Sequence, residues 1–63
     1  MNQLTWTHHD DGRWTGSTTD ESLVWVVYGV GLLMLDGQVF GDYDTTPQAQ
    51  HAAQVWTEAA ARA

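Results

Sequence analysis

The sequence predicts an α+β fold, a small antiparallel β-meander sheet with one C-terminal α-helix packed on one face. Short segments rich in β-formers fill residues 3–43, and Asp-Gly turn signals separate them. Alanines then recur at helical spacing over residues 46–62. Because the strands come first and one helix follows, we expect a single domain, residues 1–63, with the helix lying across the sheet.

Two alternating segments, residues 3–9 and 13–18, flank the turn sequence DDG at 10–12 and predict the first hairpin. A three-residue loop that ends in a left-handed glycine pairs His8 with Trp14. This register separates apolar from polar side chains, whereas a two-residue turn mixes them. The expected apolar face carries Leu4, Trp6, His8 and Trp14. The expected polar face carries Thr5, Thr7, His9, Arg13, Thr15 and Ser17.

The stretch LVWVVYGVGLLML, residues 23–35, has no charged residue in a chain of net charge −6. Its first six residues are almost all β-formers, which predicts a strand that is buried on both faces. The sequence GVG at 29–31 predicts a tight turn or a strong bend, after which residues 32–35 continue as a strand.

A second hairpin is predicted around the DG pair at 36–37, with residues 38–43 as the return strand. A two-residue loop pairs Leu35 with Gln38. The pairs that follow are Met34–Val39 and Leu33–Phe40. One face then carries Leu33, Leu35 and Phe40, and the other carries Leu32, Met34, Val39 and Tyr43. Both faces of this hairpin are therefore apolar.

Helix signals begin at residue 45, where Thr45 or Thr46 can cap the amino end and Pro47 suits the first turn. An amphipathic stripe with helical spacing follows, made of Ala49, Ala52, Ala53, Trp56, Ala59 and Ala60. The polar residues lie largely outside that stripe, at Gln50, His51, Gln54, Thr57 and Glu58. Since the stripe is mostly alanine, we expect the helix to lie close to the sheet with Trp56 as its one large anchor.

The apolar middle of the chain predicts a partner. A helix of about 17 residues is roughly 25 Å long and covers only one face of a small sheet. Residues 23–43 offer apolar groups to two faces, and a second copy is the simplest cover in a chain without disulfides. The expected contact set is Trp25, Val27, Leu33, Leu35 and Phe40, or else the opposite set on the same strands. Trp25 is the leading contact residue, because aromatics are enriched at interface hot spots.

The composition argues against several classes of protein. Among 63 residues there are 8 acidic and 2 basic ones, too few cations for direct nucleic-acid binding by phosphate neutralisation. The apolar run of 13 residues is shorter than the roughly 20 that a membrane helix needs, so no membrane association is expected. We expect a cytoplasmic protein, because the chain has no cysteine and does not open with a basic and then apolar leader.

Most of the acidic residues are predicted in turns or at strand ends, which places acidic rims around an apolar middle. They are Asp10, Asp11, Asp20, Glu21, Asp36, Asp42 and Asp44. Turn chemistry and solubility account for such a distribution without any further role. The functional interpretation is a negative surface that docks on a basic one, such as the nucleic-acid channel of a host enzyme.

Three local patterns could carry chemistry, and none predicts a catalytic, metal or cofactor site. The sequence HHDD at 8–11 suits a divalent ion, but adjacent strand residues point to opposite faces, so His8 and His9 cannot readily ligate one ion. His51 with Asp44 could form an acid–base pair, although solvated helix histidines are far more common. The GVG sequence at 29–31 lacks the third glycine of a dinucleotide loop. We therefore expect a protein that is not an enzyme.

The order W…DGRW, a valine-rich strand, a DG hairpin and then GDYDTTPQAQHAA resembles short accessory proteins of actinobacteria and their phages. The resemblance spans most of the chain. It implies a small sheet followed by a threonine-started, alanine-rich helix. It also implies a small phage or bacterial accessory protein, which would lie in the cytoplasm of the host cell if it is phage-encoded. The resemblance carries no catalytic residues to this chain.

The leading functional hypothesis is a non-enzymatic acidic protein-binding module, a homodimer that engages another protein such as a host factor. The alternative is an anti-defence or regulatory inhibitor that acts as an acidic nucleic-acid mimic. A metal-dependent small enzyme or sensor ranks last. Ionic strength separates the first two, because a mimic should lose affinity for a basic target steeply with added salt.

Overall fold

The computed structural model describes residues 3–19 and 23–62. It contains five strands and one C-terminal helix, which confirms the α+β fold that the sequence predicts. The elements are β1 (Thr5–His8), β2 (Trp14–Ser17), β3 (Val24–Tyr28), β4 (Leu32–Leu35), β5 (Gln38–Asp42) and α1 (Thr46–Arg62).

The strands form one antiparallel sheet in the order β1-β2-β3-β4-β5, so each strand pairs with its neighbours in sequence. Helix α1 packs on one side of this meander and contacts β3 and β4. We call that side of the sheet the helix face and the other side the open face. The core lies between the helix face and α1.

The first hairpin has the predicted register, with His8 paired to Trp14. The His9 N–H donates to the Arg13 carbonyl at 2.8 Å, and the Gly12 N–H donates to the His9 carbonyl at 3.0 Å. Gly12 has a φ of 90°, a left-handed conformation that glycine adopts without a steric penalty. The predicted loop with a terminal left-handed glycine is therefore confirmed, and Trp6 and Trp14 both pack against the core.

The second hairpin confirms the predicted turn but not the whole predicted register. Asp36 and Gly37 both have positive φ, 53° and 77°, as a two-residue type I′ turn requires. The pairs Leu35–Gln38 and Met34–Val39 form as expected. The predicted pair Leu33–Phe40 is wrong, because a β-bulge intervenes and Leu33 pairs with Gly41. The bulge shifts the alternation by one residue beyond Phe40.

The bulge moves Tyr43 to the helix face, where it packs against the core. The predicted placement of Tyr43 with Met34 and Val39 is therefore wrong. Phe40 keeps its predicted side, and its ring meets Trp25 edge-on with centroids 5.0 Å apart. Phe40 and Tyr43 thus lie on the same side of the sheet, beside α1.

Thr45 is the residue that caps α1. Its hydroxyl accepts a hydrogen bond from the Gln48 N–H at 3.3 Å. In return the Thr45 N–H donates to Gln48 Oε1 at 3.2 Å. This reciprocal pair is a capping box, and it supplies partners for two backbone donors at the helix start. Thr46 instead donates its hydroxyl to the Val30 carbonyl at 2.6 Å and ties the helix start to the β3–β4 turn.

The buried ridge of α1 differs from the predicted alanine stripe. Ala49 and Ala53 are fully buried as expected, but the next residue on that ridge is Thr57, which is only 1% exposed. The prediction that Thr57 lies outside the buried stripe is wrong. Gln54 also faces the protein, since its Oε1 accepts a hydrogen bond from the Leu4 N–H at 3.0 Å. Trp56 lies at the edge of the contact and is 38% exposed.

The core consists of a few large side chains of the sheet under small side chains of the helix. The buried hydrophobic residues are Leu4, Trp25, Val27, Leu33, Ala49 and Ala53. Trp25 is the largest of them, and its indole Nε1–H donates to the Thr57 hydroxyl oxygen at 2.9 Å. This bond supplies the partner that a buried indole donor needs.

The first of the two partner-binding sets that the sequence predicts is wrong. Trp25, Val27 and Leu33 are 0% exposed, and Leu35 packs against the same core, so these side chains face the chain's own helix. Of that set only Phe40 is exposed, at 41%. The prediction failed because the space beneath an alanine-rich helix needs a large side chain, and Trp25 fills it. The prediction that β3 is buried on both faces is also wrong within this chain, since Trp25 and Val27 are buried whereas Val24 and Tyr28 are exposed.

Candidate functional site

The open face is divided into an apolar half and a polar half. Cross-strand pairing places one row across the sheet, in which Thr7, Thr15, Val26, Met34 and Val39 are successive partners. The apolar half lies on β3 to β5 and consists of Val24, Val26, Tyr28, Leu32, Met34 and Val39. This is the opposite set on the same strands that the sequence analysis offered as its second option.

The apolar half reaches solvent. Val39 is 63% exposed, and Val24 and Tyr28 are each 42% exposed. Val26 and Met34 lie between them and are partly covered by their neighbours in the row. The sheet therefore presents a contiguous apolar area, in contrast to the single scattered apolar residues that are ordinary on protein surfaces.

Sequence reasoning could have chosen between the two sets. Trp6 pairs with Gly16, and Gly16 pairs with Trp25. Paired residues lie on the same face of a sheet, so both tryptophans lie on the helix face. Glycine at the middle position leaves room for the ring, since a Cβ on Gly16 would lie 2.7 Å from Trp6 ring carbons. A glycine paired between two tryptophans therefore indicates that both indoles lie on the same face and that another element packs on that face.

The polar half of the open face lies on β1 and β2. His9 Nε2 and the Thr15 hydroxyl are 2.8 Å apart and share a hydrogen bond across these strands. At the loop, the Arg13 N–H donates to Asp11 Oδ1 at 3.0 Å, and the Arg13 Nε lies 3.8 Å from Asp11 Oδ2. The backbone hydrogen bond, assisted by the Arg13 charge, lowers the pKa of the exposed Asp11 carboxyl below its usual range.

The two adjacent histidines point to opposite sides of the sheet, as the sequence predicts. The His8 ring stacks on Trp14 on the helix face, with centroids 4.3 Å apart and planes 14° apart. His9 bonds to Thr15 on the open face. Across residues 3–19 and 23–62, no group of three or more potential metal-ligating side chains comes together.

A groove separates β5 from α1 and forms a second candidate surface. Its upper part has a volume of about 600 Å³ and is lined by Asp42, Tyr43, Asp44, Pro47, Gln48, His51 and Ala52. Its lower part has about 480 Å³ and is lined by Phe40, Tyr43, His51, Ala52, Val55, Trp56 and Ala59. His51 and Asp44, named in the sequence analysis as a possible acid–base pair, thus line the same groove.

Apart from Glu58 on α1, the acidic residues of the described ranges lie at the two ends of the sheet. Asp10 and Asp11 lie in the β1–β2 loop, and at the same end Asp42 is the last residue of β5 and Asp44 follows it. Asp36 occupies the β4–β5 turn at the other end. The predicted acidic residues Asp20 and Glu21 lie outside the described residues. Three strand spacings, roughly 15 Å, separate the two acidic corners at the shared end.

Comparison of this chain with protein-family models, with curated proteins and with solved structures gave no match. Within the ranges that the structure describes, no helix combines the length and the hydropathy needed to cross a bilayer. The surfaces themselves are therefore the basis for any functional inference.

Proposed function

We propose that this chain is a non-enzymatic protein-binding module that forms a homodimer through the open face of its sheet. The observation that carries the proposal is the apolar half of that face, where Val24, Tyr28 and Val39 are 42 to 63% exposed. A symmetric pairing would cover the same apolar area on both copies with one contact.

The distribution of side chains favours a second copy as the occupant. The apolar half extends over three strands of up to five residues, about 14 Å by 16 Å. This contact area is small by the standard of stable interfaces, which predicts a weak dimer that forms only at high protein concentration. The neighbouring polar half, with Thr7, Thr15 and the His9–Thr15 bond, supplies the hydrated rim of the contact.

The dimer is proposed to act by engaging another protein in the cytoplasm, as an accessory factor. The net charge of −6 supports a basic partner surface, because complementary charge speeds encounter. The alternative, an acidic nucleic-acid mimic, draws on the same charge but requires carboxylates spaced like phosphates. The roughly 15 Å gap between the two described acidic corners is a sparse imitation of one charge per 1.7 Å of duplex.

Sedimentation equilibrium tests the dimer. We expect the mass of the full chain to rise with concentration from 7.0 kDa toward twice that value. Val39→Asp should hold the chain at the monomer mass, because Val39 is 63% exposed and its replacement leaves the core intact. Val30→Asp is the matched control, since Val30 is 72% exposed but lies in the β3–β4 turn, and it should dimerise normally.

Two outcomes contradict the proposal. If the wild-type chain stays at 7.0 kDa up to millimolar concentration, the open face does not form a contact between two copies. A Val39→Asp variant that dimerises like the wild type places the contact elsewhere on the molecule.

A further inference from the structure

The groove between β5 and α1 is elongated. Its two parts share Tyr43, His51 and Ala52, so they form one continuous depression along the helix. From Pro47 to Ala59 the helix axis rises about 18 Å. This length matches about five residues of extended polypeptide at roughly 3.3 Å each.

The lower end of the groove has an aromatic and apolar wall. The rings of Phe40 and Trp56 meet edge-on with centroids 6.2 Å apart, and both rings also contact Trp25. Phe40, Val55 and Trp56 are 41%, 50% and 38% exposed, and Phe40 and Trp56 border the core through Trp25. Such half-exposed aromatics in a concave site are typical anchor points for a bulky apolar side chain.

The upper end of the groove is acidic. Asp42 and Asp44 lie on either side of Tyr43 at the groove mouth, and both are exposed. The helix start does not offset this charge by offering free donors at its cap, because the Thr45 and Gln48 N–H groups bond within the capping box. The mouth therefore attracts cations rather than anions.

We propose that this groove binds an extended segment of a partner protein that carries an arginine or lysine next to bulky apolar residues. The cationic side chain lies between Asp42 and Asp44, and an apolar side chain packs against Phe40, Val55 and Trp56. The aromatic rim of Tyr43 suits the stem or the charged head of the basic residue. Asp42 pairs with Leu32 and therefore borders the open face, whereas Tyr43 and the apolar wall of the groove lie on the helix side, so dimerisation is measured separately on the same variants.

Charge complementarity selects this occupant over others. Nucleic acids and anionic lipid surfaces are repelled by two carboxylates on a chain of net charge −6. A wholly apolar ligand would desolvate those carboxylates without pairing them. A second copy of the chain is a poor source of the basic segment, because the chain has no lysine and only two arginines, and Arg13 lies beside Asp11.

Selection from a displayed library of random seven-residue peptides tests the proposal. The full chain is the bait, and the double variant Asp42→Asn/Asp44→Asn is the counter-bait. We expect enrichment of peptides in which Arg or Lys stands within four positions of Leu, Ile, Phe or Trp. An enriched peptide is then synthesised and titrated into the ¹⁵N-labelled full chain, whose amide shifts should change at Tyr43, Ala52 and Val55.

Two variants give the expected size of the effect. Removing both carboxylates should lower the affinity for the synthetic peptide about tenfold, and added salt should lower the affinity of the wild type for the same peptide. Asp36→Asn is the matched control, because it removes a carboxylate from the opposite end of the sheet and asparagine tolerates the positive φ there. That control should bind within about twofold of the wild type.

The proposal is overturned if selection enriches no basic peptides. It is also overturned if the titrated peptide shifts amides of the open face instead of the groove, or if the double variant binds as well as Asp36→Asn. Each result is read from peptide binding by a chain whose dimerisation is measured separately, so failure of the groove leaves the dimer proposal standing.

Discussion

At the scale of single residues, Trp25 and Thr57 explain how so small a chain positions its helix. The indole is fully buried, and the Thr57 hydroxyl beneath the helix is the acceptor for its N–H at 2.9 Å. A buried donor without a partner costs about 1–3 kcal/mol, so this one bond favours a single placement of α1 over the sheet. It also makes Thr57, a polar residue, part of the core.

Thr57→Val should lower the free energy of unfolding by about 1–3 kcal/mol, because valine keeps the shape but leaves the indole donor unpaired. Thr57→Ser is the control, since it keeps the hydroxyl and removes one methyl group, and it should cost about 1 kcal/mol. Urea unfolding followed by tryptophan fluorescence measures both, at one protein concentration because dimerisation stabilises the folded chain. Equal stability of Thr57→Val and the wild type would show that the bond does not matter.

Asp11 gives a residue-scale prediction about pH. The Arg13 N–H and then the Arg13 charge hold the pKa of Asp11 below its usual range. Since the folded-state pKa is the lower one, the contribution of Asp11 to stability is complete above the unfolded value of about 3.9. It is lost as the pH falls through the lowered folded value. An NMR titration of the Asp11 carboxyl should show a midpoint below the usual aspartate value of 3.8, and an equal or higher midpoint contradicts the assignment.

At the scale of elements, the bulge in β5 decides what lines the groove. An unbroken β5 would place Phe40 and Tyr43 on opposite faces of the sheet. The bulge at Phe40 brings both to the helix face and also interrupts the edge of the sheet. Bulges of this kind discourage edge-to-edge pairing with another chain. The same feature therefore protects the edge and shapes the binding groove.

The β3–β4 turn is locked to the start of α1. The Tyr43 N–H donates to the Gly31 carbonyl at 2.8 Å, and the Thr46 hydroxyl donates to the Val30 carbonyl. Gly31 has no room for a side chain, because a Cβ would collide with the Tyr43 carbonyl and approach the Thr45 carbonyl oxygen to 3.1 Å. The glycine is thus required by close backbone contact between two elements.

Gly31→Ala should destabilise the chain by about 1–3 kcal/mol, because the added methyl group must push rigid backbone aside. Val30→Ala is the neighbouring control, and it should change stability by less than about 0.5 kcal/mol since Val30 is 72% exposed. Thermal unfolding followed by circular dichroism measures both. A Gly31→Ala variant that unfolds with the Val30→Ala control would mean that the two elements separate freely.

The parts of the fold that local chemistry determines were predictable from the sequence. Gly12 and the Asp36-Gly37 pair fixed both hairpin turns, and Thr45 was one of two caps considered. The parts that depend on packing between elements were not predictable in this way. Gly41 is compatible with a bulge in β5 but does not by itself predict it, and the burial of Thr57 depends on Trp25, which is 32 positions away. The contact set was misassigned although Gly16, between Trp6 and Trp25, was a sequence signal for the covered face.

At the scale of the whole molecule, the chain divides its surface between two proposed contacts. The open face, with Val24, Val39 and their neighbours, is apolar and suits a copy of itself. The groove between β5 and α1 is apolar at one end and acidic at the other, and suits a basic segment of a different protein. Because the apolar wall of the groove lies on the helix side and only Asp42 borders the open face, a dimer would present two grooves and bind a divalent partner more tightly than either groove alone.

In the proposed dimer, the open face of one copy packs against the open face of the other. An isotope-filtered NOE experiment on an equal mixture of ¹³C,¹⁵N-labelled and unlabelled full chain at millimolar concentration tests it most directly. The account predicts intermolecular contacts among the side chains of Val24, Val26, Met34 and Val39. A spectrum without intermolecular contacts, or with contacts confined to the groove residues Val55 and Trp56, would contradict it.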